Sequence, residues 1–300
     1  MLTLHRHRTA PVLIGAAASW GIATVITKHA LGEIPPITLL PIQLASSVLL
    51  VTPFLLLRQR ELPRTERLGK LTALGVLNPG ISYALGLLGL VFITASESVL
   101  LWATEPIMIM ALAAVMLREQ ITRTQVIAAG AATAGVALIV ITPDRSNRPI
   151  GIALTLAAVA ACAIYTVLSR RWMIDESSLR VVIYQQTAAL SFALILLSAV
   201  ALAGDIPALS GISAGSWASA IVSGWLYYGI AFWLYLTGLQ RTPASVAGQY
   251  INLIPVFGIA ASSLFLGEQL STRQWVGAVI IVVAVTVAGK SLALAGEVRS

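Results

Sequence analysis

The chain has 300 residues, of which 10% are charged and 58% hydrophobic. A soluble domain carries about 25% charged residues, so this balance excludes an ordinary water-soluble enzyme. The single cysteine, Cys162, excludes an internal disulfide framework and a thiolate metal site. The net charge of +7 is not gathered into the basic, aromatic-interleaved stripe that nucleic-acid binding requires.

A transmembrane helix takes roughly 20 apolar residues. Apolar runs follow one another near 10–30, 36–57, 70–91, 94–116, 124–141, 149–169, 179–203, 215–238, 243–266 and 273–295. They predict an all-α integral membrane protein of ten transmembrane helices. The first run starts at Pro11, where a missing N–H costs least. Its length and the similar runs behind it argue against a cleaved signal peptide. Basic residues stay preferentially on the cytoplasmic side. With the N-terminus placed there, the cytoplasmic segments hold Arg6, Arg8, Arg58, Arg60, Arg64, Arg67, Lys70, Arg118, Arg123, Arg170, Arg171, Arg180, Arg241, Lys290 and Arg299, against Lys28, Arg145, Arg148 and Arg273 outside. Both termini are therefore expected in the cytoplasm.

Residues 80–122 align without a gap to 229–271 at a constant offset of 149. Gly80, Gly89, Ala95, Ser96, Pro106, Glu119 and Gln120 recur as Gly229, Gly238, Ala244, Ser245, Pro255, Glu268 and Gln269. A weaker match at offset 142 pairs Thr24, Lys28 and Gln43 with Thr166, Arg170 and Gln185. Two halves of five spans, 1–145 and 146–300, follow. Because five is odd, the second half is expected upside down relative to the first. Inverted repeats around a midplane site are a frequent construction of secondary transporters.

The Trp20-Gly21 pair, the Ala95-Ser96 and Ala244-Ser245 starts, Pro106 and Pro255, and the endings Leu117-Arg118-Glu119-Gln120 and Leu266-Gly267-Glu268-Gln269 resemble the duplicated EamA pattern of the drug/metabolite transporter superfamily. Within it the chain is most similar to the YddG-type exporters. That resemblance implies efflux of aromatic and other neutral amino acids, with helices at the repeat interface rocking around bound substrate. The superfamily's range also includes drugs, purines and other metabolites, and a channel-like facilitator is a further reading of polar stripes.

Polar side chains inside spans mostly face protein or a watered cavity. Asn78 and Ser82 in the third span, Ser98, Trp102 and Glu105 in the fourth, and Ser245, Gln249 and Asn252 in the ninth, with Tyr250 adjacent, form stripes at helical spacing. Each stripe is a substrate-contact candidate, with helix-to-helix glue as the competing role. Trp225, Tyr228, Phe232 and Tyr235 are expected on one face of the eighth span. Trp20, Tyr83, Trp102 and Tyr165 add rings suited to a flat apolar side chain. Trp172, Trp217 and Trp275 suit the bilayer interface instead.

Among the acids, Glu105 is the one carboxyl expected at full membrane depth, as a protonated hydrogen-bond donor or a proton-exchanging group. Glu97 lies toward the outer end of the same span, and Glu119 and Glu268 are expected to close loops between spans. Lys28 lies at the outer end of the first span, where it can snorkel, with a role in substrate entry as the alternative. No HExxH, CxxC or Walker loop occurs, and His5, His7 and His29 lie near the start of the chain. Neither catalysis nor a cofactor or metal is expected. The expected partners are the lipid bilayer of a bacterial-type inner membrane and an amino-acid-like small molecule, with no nucleic acid, and one chain holds both halves that a functional monomer needs.

Overall fold

The computed structural model describes residues 9–58, 67–90, 92, 101–140, 149–173, 176–204, 209–266 and 271–297. Ser98, Glu97, Ala95, Ser96, Gly267, Glu268 and Gln269 lie outside them, as do His5, His7 and many of the orientation-setting basic residues, among them Arg6, Arg8, Arg60, Arg64, Arg145, Arg148 and Arg299.

Every regular element among the described residues is helical. In chain order they are α1 (Thr9–Ala30), α2 (Pro36–Arg58), α3 (Leu68–Gly75), α4 (Ser82–Leu90), α5 (Glu105–Met116), α6 (Arg123–Val140), α7 (Pro149–Trp172), α8 (Ser178–Leu202), α9 (Ala214–Gly224), α10 (Ala231–Leu239), α11 (Ala244–Gln249), α12 (Ile254–Leu266) and α13 (Thr272–Glu297). Six segments are long and apolar enough to cross a membrane: Thr9–Ala30, Pro36–Phe54, Pro149–Trp172, Ser178–Leu202, Ala214–Leu239 and Ala244–Ala261. Shorter apolar helices cover Glu105–Met116, Arg123–Ile139 and Thr272–Ala288. Outward faces of the helices are apolar too, with Leu57 of α2 84% and Leu202 of α8 90% exposed. Water would oppose such a surface, whereas lipid accepts it.

The third and eighth spans are not continuous α-helices, which corrects the simple helical stripes expected from the sequence. A π-helical turn, Val76–Ile81, joins α3 to α4, and another, Trp225–Ile230, joins α9 to α10. These positions are related by the same offset of 149 and extend the repeat toward the N-terminus. The glycine preceding each turn has the same job. A Cβ on Gly75 would fall 2.0 Å from the Gln185 carbonyl oxygen, and one on Gly224 would fall 2.4 Å from that of Gln43. Each half thus presses its span onto a glutamine-bearing helix of the other half, and the weak pairing of Gln43 with Gln185 gains a structural counterpart.

Helix starts repeat as well. Thr122 and Gln125 form a reciprocal cap, Thr122 N–H donating to Oε1 at 2.8 Å and Gln125 N–H to the Thr122 hydroxyl at 3.2 Å. Ser271 and Gln274 repeat it at 2.8 and 3.3 Å. This capping box satisfies backbone donors that a helix end leaves open. The helices that follow, α6 and α13, pack against one another. Gly135 meets Gly277, where a Cβ on either would lie 2.8 or 2.6 Å from the other's carbonyl oxygen. Ala128 and Ala132 meet Ala284 and Ala288. Earlier residues of one helix touch later residues of the other, so the two equivalent helices run antiparallel. Small residues permit this close approach, as membrane helices commonly require.

Gly135→Leu is expected to lower the thermal unfolding midpoint of the detergent-solubilised protein, with an overpacking cost of about 1–3 kcal/mol. Gly130→Leu, five residues earlier on an exposed face with nothing near the added Cβ, should leave the midpoint unchanged.

Candidate functional site

The two π turns deliver polar and aromatic side chains to the interior in different ways. In the first, Asn78 leaves helical geometry (φ −148°, ψ 121°) ahead of a cis Asn78–Pro79 bond. Its Oδ1 accepts from the Ser82 hydroxyl at 2.6 Å. Asn78 and Ser82 are therefore a bonded pair across a break, not a stripe on a regular helix. In the second, carbonyls of the turn accept from side chains. Ser19 donates to the Leu226 carbonyl at 2.9 Å, and the Gln186 amide donates to the Tyr228 carbonyl while its oxygen accepts from the Ser47 hydroxyl. In hydrocarbon, a backbone that departs from the α ladder needs such partners.

Eight rings form one connected network. Tyr83 lies 6.2 Å from Trp102 and 5.7 Å from both Tyr227 and Tyr228, measured between ring centroids. Tyr227 and Tyr228 are 5.1 Å apart. Tyr228 stacks on Phe232 at 6.2 Å, and Phe232 meets the edges of Trp20 at 5.5 Å and Tyr165 at 6.2 Å. Trp20 reaches Tyr235 at 5.3 Å. These are the tilted, edge-on and stacked arrangements that ring quadrupoles favour. Five spans contribute: α1, α4, the stretch before α5, α7, and the π turn with α10.

Glu105 lies near this network. It opens α5 and is buried. Its carboxyl and the Cys162 thiol are hydrogen-bonding partners, and Tyr227 and Tyr235 lie within its electrostatic reach. Pro106 follows in the first turn of α5, where a missing N–H is harmless. The fourth span is consequently not one uninterrupted stripe. Trp102 precedes the start of α5, and Glu105 begins it.

The ninth span is also interrupted, by a 3-10 turn over Tyr250–Leu253 between α11 and α12. Ser245, Gln249 and Asn252 are all buried, while Tyr250 is half-buried. Gln249 donates to the Met110 sulfur at 3.2 Å. Of the sequence candidates, the structure brings Trp20, Tyr83, Trp102, Glu105, Tyr165 and Tyr228 together. Trp225 is a correction: it begins the π turn, takes no part in the ring network, and is 37% exposed where Tyr228, Phe232 and Tyr235 are buried. Sequence reasoning missed Tyr227, Gln186 and the Cys162 contact with Glu105. The offset of 149 could have flagged Tyr227, which aligns with Asn78.

A family model described as "EamA-like transporter family" matches residues 8–141 and again 149–289. The chain belongs to the EamA-like transporter family. It is 26% identical over 295 residues to an uncharacterized transporter of Archaeoglobus fulgidus, covering 95% of each chain. Its identity to the uncharacterized transporter YvbV of Bacillus subtilis is 27%, covering 95% of this chain and 92% of that one. Protein PecM of Dickeya dadantii is 22% identical, with 89% and 87% covered. A solved crystal structure at 17% identity superimposes with a TM-score of 0.80, covering 98% of this chain and 99% of the other, and establishes a shared fold. The transporter is thus a multi-pass membrane protein of the drug/metabolite superfamily.

Carboxylates also tie the two halves of the transporter near their ends. Glu119, following α5, accepts from the backbone N–H groups of Ala244 at 2.8 Å and Ser245 at 3.0 Å. It therefore bridges the fourth span to the start of the ninth, beyond the loop-closing role expected of it. Glu33, between α1 and α2, accepts from the Ser213 N–H at 2.6 Å and its hydroxyl at 2.9 Å, and Ser213 caps α9. The Ser213 backbone N–H and hydroxyl, with a smaller contribution from nearby His29, hold the Glu33 carboxyl below its ordinary value of 4.5. A depressed folded-state value means that this contact contributes fully above the unfolded value and is lost as pH falls through the folded one. The Glu33 carboxyl carbon should titrate by NMR with a midpoint below 4.5. Ser213→Pro, compatible with the observed φ of −65°, removes both donors and should return the midpoint toward that value.

Proposed function

We propose that the chain is a secondary transporter that exports small amphiphilic metabolites, foremost aromatic and other large neutral amino acids, by alternating access. The observation that carries this reading is the eight-ring network beside Glu105. Rings recognise a flat apolar side chain through area and quadrupole. A carboxyl beside them offers a partner to an amine. Ligand pockets commonly combine such an apolar lining with a few placed polar groups.

Ten crossings arranged as two inverted halves, 1–145 and 146–300, complete the reading. The antiparallel α6 and α13 and the cross-paired Gly75 and Gly224 support it. Both termini face the cytoplasm of a bacterial-type inner membrane, as the basic-residue bias favours, and a monomer contains both halves. Transport then requires the halves to exchange conformations around the bound substrate.

Proteoliposomes loaded with a panel of radiolabelled amino acids test this. Saturable flux accelerated by substrate on the opposite side is expected for aromatic members. Trp102→Ala should reduce the rate about three- to tenfold, the worth of an aromatic contact, and Asn78→Ala and Asn252→Ala should also reduce it without loss of insertion. Normal flux in all three variants would remove these residues from the site. With an imposed pH gradient, Glu105→Gln should abolish whatever proton dependence the parent displays; an unchanged dependence would remove Glu105 from coupling.

A further inference from the structure

Two buried hydrogen-bond donors on touching elements have no partner among the described residues: the indole Nε1–H of Trp20 and the side-chain Nδ2–H2 of Asn252. Trp20 is 7% exposed and Asn252 2%. Their elements meet closely, since a Cβ on Gly21 would lie 2.7 Å from the Ile254 carbonyl oxygen, and Ile254 directly follows the turn that carries Asn252. Leaving a buried donor unsatisfied costs about 1–3 kcal/mol. Other buried polar atoms also lack a partner among the described residues, including the amide nitrogens of Gln125 and Gln185 and the hydroxyl of Tyr235. Of the nitrogens, those of Trp20 and Asn252 are the donors whose elements meet this closely.

The chemistry of the open groups narrows what completes them. An indole nitrogen only donates, and an amide nitrogen only donates, so the missing group is an acceptor. Among the described residues the one buried arginine is Arg180, whose guanidinium lies 3.9 Å from Glu176 near the start of α8. Among the described residues no buried Lys or Arg accompanies the ring network, leaving recognition of an anionic group there to neutral donors. Trp20 also touches Tyr235, and Tyr235 is within the electrostatic reach of Glu105. The Trp20 indole therefore touches a ring on which the Glu105 carboxyl also acts electrostatically. A ligand carrying both an ammonium and a carboxylate matches both poles without burying an uncompensated charge.

We infer that Trp20 Nε1–H and Asn252 Nδ2–H2 form the carboxylate-recognising pole of the substrate site, so that selection requires a free carboxylate as well as an amine. This rests on the amino-acid reading above and assigns these two residues a specific role within it. Trp20 and Asn252 become specificity determinants, while the rings supply affinity for the side chain.

Displacement of radiolabelled phenylalanine from the purified full-length protein in detergent tests the assignment, with unlabelled phenylalanine, phenethylamine and phenylalaninamide as competitors. In the parent, the two compounds lacking a carboxylate should compete about tenfold or more weakly, as loss of a charge-assisted hydrogen bond implies. Trp20→Phe keeps a ring, and Asn252→Leu keeps the volume. Each variant, verified as monodisperse, should weaken phenylalanine toward phenethylamine, while phenethylamine itself changes little. Equal competition by phenethylamine and phenylalanine in the parent would overturn the carboxylate pole and leave amino-acid binding standing. An unchanged gap in both variants would overturn it too. Failure of every labelled amino acid to bind the parent would remove the amino-acid reading and this assignment together.

Discussion

Hydrocarbon offers no hydrogen bonds, so each backbone polar group at membrane depth must find its partner within the protein. Continuous helices meet that demand locally, and this chain departs from them at chosen places. The π turns at Val76–Ile81 and Trp225–Ile230 and the 3-10 turn at Tyr250–Leu253 each bury part of their length, at Asn78–Gly80, Tyr228–Gly229 and Asn252–Leu253. Where the second π turn redirects its carbonyls, Ser19 and Gln186 supply donors. The irregular backbone is therefore possible because other helices are already beside it. In turn, those irregularities place Tyr227 and Tyr228 side by side and allow the rings of five spans to meet.

Much of this architecture was legible in the residues. Apolar runs were sufficient to expect helices, the offset of 149 to expect a duplication, and the paired EamA motifs pointed to the family that the two matches establish. Side-chain placement was less legible because it was read with a uniform helical period. That period assigns Trp225 to the inner face, whereas Trp225 is exposed at the start of the π turn and Tyr227 joins the rings. Trp102 and Glu105 likewise read as neighbours on one helix, although α5 starts at Glu105. Long-range pairings had no local signal. Glu33 with Ser213 joins positions far apart in sequence, and Cys162 gives no indication by itself that Glu105 is its neighbour.

Acidic groups serve two physical purposes here. Glu33 and Glu119 accept from backbone N–H groups at helix starts, where a negative charge complements the helix dipole. Those contacts connect the first half to the second near the ends of the bundle. Glu105 is buried at the start of α5. The same functional group is thus a structural tie at the ends and an enclosed group in the interior.

The antiparallel meeting of α6 and α13 has a consequence for symmetry. Gly135 approaches Gly277, while Ala128 and Ala132 approach Ala284 and Ala288, so equivalent helices offer each other equivalent small-residue patches. Such self-complementarity is the property of an isologous interface in a twofold-symmetric dimer. Within one polypeptide, the repeat thus carries the kind of surface by which identical copies pair about a twofold axis.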